Sequence, residues 1–295
     1  MASSSALGRT LDTLRPLIPA RFRADIPVVP VVRLSGIIGI STPLKPGLTV
    51  ASVARPLDRA FSTGNARAVA LAINSPGGSA AQSHLIHRRI RQLADEKNIP
   101  VIAFIEDVGA SGGYMIACAA DQIVCDGSSI VGSIGVVGGS FGFHQLLDKI
   151  GVERRLYTSG ERKAMLDPFL PENPEDVKRL KAIQSEIHQS FIALVKERRG
   201  GKLSGPEIDL FSGEYWTGNR ALELGLVDSV GDIRSTLRER FGEDVRTPLI
   251  GDRGLFGRRA AGVTGRLDGL FAGPDLAEDM ISALEARAIW ARFGL

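Results

Sequence analysis

Cysteine is nearly missing from this chain of 295 residues: there are two, Cys118 and Cys125. Two thiols are too few for a disulfide scaffold, and they read as small buried side chains. Histidine is scarce as well, limited to His84, His87, His144 and His188. His84 and His87 are spaced to share a helix face, but their surroundings are basic and offer no acidic third ligand, so no metal site is expected. The N-terminal part lacks the run of about 20 apolar residues that a membrane-spanning helix needs. Its most apolar stretch, residues 26–40, is broken by Pro27, Pro30, Arg33 and Ser35. A nucleotide-binding loop of the Gly-rich, Lys-Ser/Thr kind is missing too. So is any strong charge: 36 basic against 33 acidic residues leave a net +3, which gives no indication of nucleic-acid binding. These absences point to a cytoplasmic protein that works without cofactor or metal. The basic clusters at residues 87–91 and 198–202 read as solvated helix faces, and an anionic membrane surface is the further partner they would suit.

What is present alternates between strand and helix patterns. Apolar runs at residues 28–40, 68–73, 100–105 and 121–125 read as strands. Residues 48–61, 80–97 and 141–150 read as helices, and so does 174–199, where Val177, Leu180, Ile183, Ile187, Phe191 and Leu194 recur at helical spacing. That stripe suits the core or a partner subunit equally. A further short strand is expected at 153–157. The alternation implies an α/β fold with a largely parallel sheet, whose functional loops gather at the carboxyl ends of the strands. Residues 1–25 read as a mobile arm, 26–235 as the main domain, 236–274 as a Gly- and Arg-rich linker, and 275–295 as a terminal helix.

Four segments carry candidate chemistry. Ser111 stands in Gly109-Ala110-Ser111-Gly112-Gly113, just before a small apolar run that reads as a buried helix. The free N–H groups of that helix start favour an oxyanion beside the serine, although serine is equally at home there as a plain N-cap. Lys163 ends Ser159-Gly160-Glu161-Arg162-Lys163. It is a solvated loop lysine or, if its amine is kept neutral in a dry site, a base for Ser111. Ser159 either orients that amine or simply makes the turn. Gly77 and Gly78 follow a strand in Asn74-Ser75-Pro76-Gly77-Gly78-Ser79. They form a tight turn or, with the Gly78 and Gly112 N–H groups together, an oxyanion hole. Ser133 and Ser140 are weaker candidate nucleophiles. Gly132, Ser133, Ile134, Gly135 and Val136 read as a wall along which an extended peptide pairs by strand addition.

In order and number, these segments resemble the S49 peptidases, the signal peptide peptidase A proteins. The resemblance covers residues 30–235 and extends to Phe211-Ser212-Gly213-Glu214-Tyr215-Trp216-Thr217-Gly218 and to Ala221-Leu222-Glu223-Leu224-Gly225-Leu226-Val227-Asp228. It implies the ClpP/crotonase fold, a superhelix of ββα units, with a helical extension. It implies a serine endopeptidase with Ser111 as nucleophile and Lys163 as base, working without ATP on extended peptides, signal-peptide remnants among them. It also implies a homo-oligomeric ring in which Ser111 of one copy meets Lys163 of the next. The chain departs from the family in lacking an N-terminal anchor and in carrying one catalytic unit. A crotonase-like acyl-CoA enzyme and an inactive peptide-binding scaffold are the alternative expectations.

Overall fold

The computed structural model describes residues 26–39, 47–160, 162–251 and 287–294. In chain order its elements are β1 (Val31–Ser35), α1 (Val50–Phe61), β2 (Val69–Ser75), α2 (Ala80–Lys97), β3 (Val101–Ala110), α3 (Gly112–Ala117), β4 (Gln122–Cys125) and β5 (Ile130–Gly132). There follow α4 (His144–Ile150), α5 (Pro174–Arg199), α6 (Glu207–Leu210), β6 (Tyr215–Thr217), α7 (Gly218–Glu223), β7 (Ser229–Val230), α8 (Ile233–Phe241) and β8 (Leu249–Ile250). The sheet runs β6-β5-β3-β2-β1-β8, with β4 and β7 branching from β3. Its described pairings are parallel except β5 with β6. The α/β class read from the sequence is therefore the observed one.

The branch at β3 explains how the site is built. Residues Ile102–Ile105 pair with β4, and Val108–Ala110 pair with β5, so one long strand serves two ledges of sheet. The same doubling recurs along the chain. After β1, Ile38 bridges Leu48 and Gly78 before α1 begins, and after β2, Gly78 makes that bridge before α2 begins. Each turn thus lays down a main strand, then a short second pairing at its carboxyl end, then a helix, which is the ββα pattern.

Local chemistry fixes these elements. β2 is buried on both faces, as a central parallel strand must be, and its sequence VALAINS is accordingly apolar throughout its first five residues. Helix α1 is capped by Thr49, whose side chain and that of Ser52 satisfy each other's backbone N–H, and it buries Val53, Leu57, Ala60 and Phe61 on one stripe. Helix α2 starts at Ser79, whose hydroxyl accepts from Gln82 N–H, and stops at Asn98 in the left-handed conformation. The core lies between sheet and helices, where Leu34, Leu71, Ile73, Ile86, Ile90, Ile116 and Ile123 are fully enclosed. Cys118 and Cys125 are free and buried; burial pushes their thiols up to about 12 and about 11, so neither is reactive.

Several boundaries differ from expectation. β1 covers five residues of the expected 28–40. β3 runs on to Ala110 instead of stopping at Ile105. The helix expected from 141 starts at His144. Residues 153–157 form no strand and are exposed, since no described strand of the sheet lies beside them to pair with their backbone. Residues 236–250, expected to open a linker, complete α8 and supply β8, which pairs with β1. The N-terminal arm and most of the expected linker and terminal helix lie outside the described residues. Among the described residues no helix is long and apolar enough to cross a membrane.

One part of the chain stands apart from the core. Helix α4 buries none of its residues, and α5 buries nothing before Phe191. Between Val137 and Leu170 the side chains of Phe141 (79% exposed), Leu146, Ile150, Val152 and Tyr157 (90% exposed) face solvent.

Candidate active site

β3 delivers the backbone to Ser111 in a conformation that serine seldom adopts, φ 51° and ψ −122°. Such a position costs of order 1–3 kcal/mol and is sustained only when the surroundings impose it. Here the Ser111 N–H is tied to the Gly132 carbonyl at 2.8 Å, and its own carbonyl accepts from Met115 N–H at 3.0 Å as α3 begins. Tyr114 in the first turn of α3 is fully buried, and its hydroxyl donates to the Leu226 carbonyl at 2.8 Å, which pins the helix from behind. Although Ser111 occupies the N-cap position, its side chain makes no capping hydrogen bond. The capping alternative therefore falls away, and the hydroxyl is left for other work.

The Pro-Gly-Gly turn is held against this serine. Asn74 donates to Asp107 at 2.5 Å and accepts from Val108 N–H at 3.3 Å, joining the ends of β2 and β3. Ser75 donates to the Gly36 carbonyl at 2.7 Å and accepts from Gly77 N–H. Gly77 and Gly78 both have positive φ, 102° and 141°. A side chain on Gly77 would begin 2.7 Å from Ser111 Cβ, 3.0 Å from its Oγ and 2.9 Å from the Gly112 nitrogen. Only hydrogen leaves that space open to a substrate. The bridge to Ile38 uses the Gly77 carbonyl and the Ser79 N–H, so the intervening Gly78 N–H faces the other way, toward the cleft that Gly78 lines.

That cleft encloses about 400 Å³. Ser111, Gly78, Gly112, Ser133, Gly135 and Val136 line it together, so most of the residues singled out from sequence are brought to one place. Met115, Val137, Ile187 and Phe191 supply apolar walls. Gly132 and Ile134 are not walls: Gly132 pairs with β3 on one side and β6 on the other, and the Ile134 side chain is fully buried. Ser133 donates its N–H to the Glu214 carbonyl at 2.6 Å, Gly135 to the Ser133 carbonyl at 2.9 Å, and the Ile134 carbonyl meets His188 Nε2 at 3.0 Å. The backbone edge expected to receive a peptide over residues 132–136 is thus largely spent, and what remains begins at Val136.

Ser159 and Lys163 do not join this cleft. Both are exposed, on the projecting segment beyond α4, and Lys163 donates its backbone N–H to Gly160. Among the described cleft-lining residues the one charged side chain is Arg292. A guanidinium does not give up its proton at working pH, so these walls contain no base for Ser111.

The Leu224 to Asp228 segment serves structure. Arg199, buried in the last turn of α5, pairs with Asp228 at 2.7 Å and donates to the Gly225 carbonyl at 2.7 and 3.1 Å. Burial raises the Asp228 carboxyl, but hydrogen bonds from Arg199, Lys202 and the Ile123 N–H outweigh it and hold the group below the ordinary carboxylate range. Sequence reading missed this pair because a buried arginine looks like any charge at a helix end.

The model of peptidase family S49 matches residues 94–242, half of the chain. The chain is 54% identical over 287 residues to a Na(+)/H(+) antiporter NhaA of Brucella abortus, a match covering 96% of this chain and 39% of that protein. It is 35% identical over 171 residues to the chloroplastic serine protease SPPA of Arabidopsis thaliana, covering 57% of this chain and 24% of that one. The chain thus spans well under half the length of either relative. A solved structure of a mutant membrane-bound stomatin-specific protease matches 77% of this chain and 92% of its own, with 19% identity and a TM-score of 0.44.

Proposed function

Since the chain belongs to peptidase family S49, with the ClpP/crotonase fold that its ββα turns display, we propose that it is a serine endopeptidase whose site is completed by a second copy. Ser111 is the nucleophile, and Lys163 of the neighbouring protomer is the base. One observation carries this reading: a hydroxyl with no capping hydrogen bond lies beside two backbone N–H groups in a cleft whose described lining residues include no base, while Lys163 stands on an exposed segment of the same chain.

In this mechanism the peptide lies extended past Gly78, with its scissile carbonyl over Ser111. The Lys163 amine of the neighbouring protomer accepts the hydroxyl proton as Oγ attacks. The tetrahedral oxyanion is held by the N–H groups of Gly78 and Gly112; losing one such donor costs about 3 kcal/mol in other hydrolases. The intermediate collapses as Lys163 returns the proton to the leaving amine. Water, deprotonated by the same lysine, then attacks the acyl-serine, and the lysine hands that proton to Ser111 Oγ as the ester bond breaks and the acid leaves. No ATP enters these steps. Extended peptides and unfolded segments are the substrates, signal-peptide remnants among them.

Mixing tests the shared site. Ser111→Ala and Lys163→Ala proteins are each expected to be inactive, and co-assembly should restore activity at roughly a quarter of the junctions, the product of two half-probabilities at a head-to-tail contact. A mixture as inactive as its parents refutes the shared arrangement.

A further inference from the structure

A second stretch of this chain borders the Ser111 cleft. Ile289, Arg292 and Phe293 line it together with Ser111, Met115 and Phe191. Among the described residues, 287–291 are helical, and the turn that follows carries Phe293 N–H to the Trp290 carbonyl at 2.9 Å and Gly294 N–H to the Ala291 carbonyl at 3.1 Å. The anchor is Tyr215, the first residue of β6. Its hydroxyl donates to the Arg292 carbonyl at 3.2 Å, and its ring meets the Phe293 ring edge-on at 5.1 Å between centroids. Neither contact reads anything peculiar to this segment. One takes a main-chain carbonyl, which every peptide has, and the other takes an apolar side chain.

Tyr215 is well placed to hold other peptides. It lies two residues after Gly213, a cleft-lining residue, and pairs in register with Gly132, whose carbonyl fixes the Ser111 N–H. It is partly exposed even with the segment in place.

We propose that Tyr215 is a peptide-holding residue of the Ser111 cleft, taking one carbonyl and the apolar side chain next to it, and that residues 287–294 are the internal peptide it holds in competition with substrate. The proposal rests on the peptidase reading and extends it to how substrate is held: the bound peptide presents an apolar side chain to the Tyr215 ring, as Phe293 does. An occupied cleft weakens apparent affinity by the fraction of molecules whose cleft is open.

Binding to the full-length Ser111→Ala protein tests this without turnover. The probe is a fluorescein-labelled capped hexapeptide of alternating alanine and phenylalanine, followed by anisotropy. Phe293→Ala removes the internal ring and is expected to tighten probe binding by about threefold to tenfold, the range for one aromatic pair. In that background Tyr215→Phe, which keeps the ring and removes the hydroxyl, is expected to weaken binding by about threefold to tenfold, the range for one hydrogen bond. Neither position is in the core, so both variants should fold. Binding that ignores Phe293, or that ignores Tyr215 once Phe293 is gone, overturns this proposal and leaves the peptidase reading standing. A probe that binds no variant, at concentrations up to the millimolar range, overturns both.

Discussion

At the scale of single residues, the strain at Ser111 has a measurable sign. A φ of 51° with ψ of −122° is a glycine conformation, and Ser111 is kept there at a cost in stability. Ser111→Gly is therefore expected to be more stable than Ser111→Ala by about 1 kcal/mol, even though glycine ordinarily loses to alanine in the unfolded-state balance. Both should be inactive. Urea midpoints for the two variants check it, and an alanine protein as stable as the glycine one would mean that the backbone is not under load. The sequence made Ser111 conspicuous through its glycines, but two readings fitted equally well. Whether a serine at a helix start caps or reacts depends on where its hydroxyl points, and that is set by β5 and β6, far along the chain. For the same reason Gly132 and Ile134 read as substrate wall: their motif was visible, and the β6 strand that occupies their edge was not.

Elements repeat the lesson with helix α5. Its span of 26 residues was legible because Pro174 opens it and the apolar stripe keeps step from Val177 to Leu194. What the stripe touches was not legible. Phe191, Leu194 and Val195 enter the core, while Ile183, on the same stripe, is exposed. Helix α2 holds a second consequence. His87 is buried, neither ring nitrogen has a well-directed partner, and its imidazole is lowered from 6.5 to about 4. Burial is the main cause, followed by the positive charges of Arg198, His84 and Arg91; the Cys118 carbonyl pulls weakly the other way. Unfolded chains bind this proton near 6.5 and the folded protein near 4, so the unfolded state holds more protons between those values. Stability should be complete above pH 6.5 and decline toward pH 4, by up to about 3 kcal/mol. His87→Leu should flatten that decline. Denaturation at pH 7.5 and 4.5 measures it, and an equal acid loss in both proteins would assign the loss elsewhere.

For the whole molecule, the segment from Val137 to Leu170 is the part that a single chain leaves unfinished. Apolar side chains of this size scattered singly are ordinary, but gathered on one projecting stretch they mark a contact surface. Under the shared-site reading, Phe141→Asp with Ile150→Asp should lower the sedimenting mass and the specific activity together. Wild-type specific activity should itself fall on dilution, as neighbours part. Constant specific activity over a hundredfold dilution, at concentrations where the mass is already that of one chain, would place both catalytic groups in a single copy. The fold class was legible at this scale because strand and helix patterns alternate. The expectation that Ser111 and Lys163 sit in different copies came from the family resemblance alone, because spacing along a chain does not say which side of an interface a loop will reach.

The position of Lys163 on an exposed segment, away from Ser111, also bears on how such a protein is made. A chain leaving the ribosome is surrounded by its own unfinished siblings, which are the extended and unstructured material that a peptidase of this kind would attack. Under the shared-site reading, which puts the nucleophile in one copy and the base in another, a newly folded chain is harmless to them. Destructive capacity then arrives last, after folding is complete, and its onset is set by how many finished copies have accumulated.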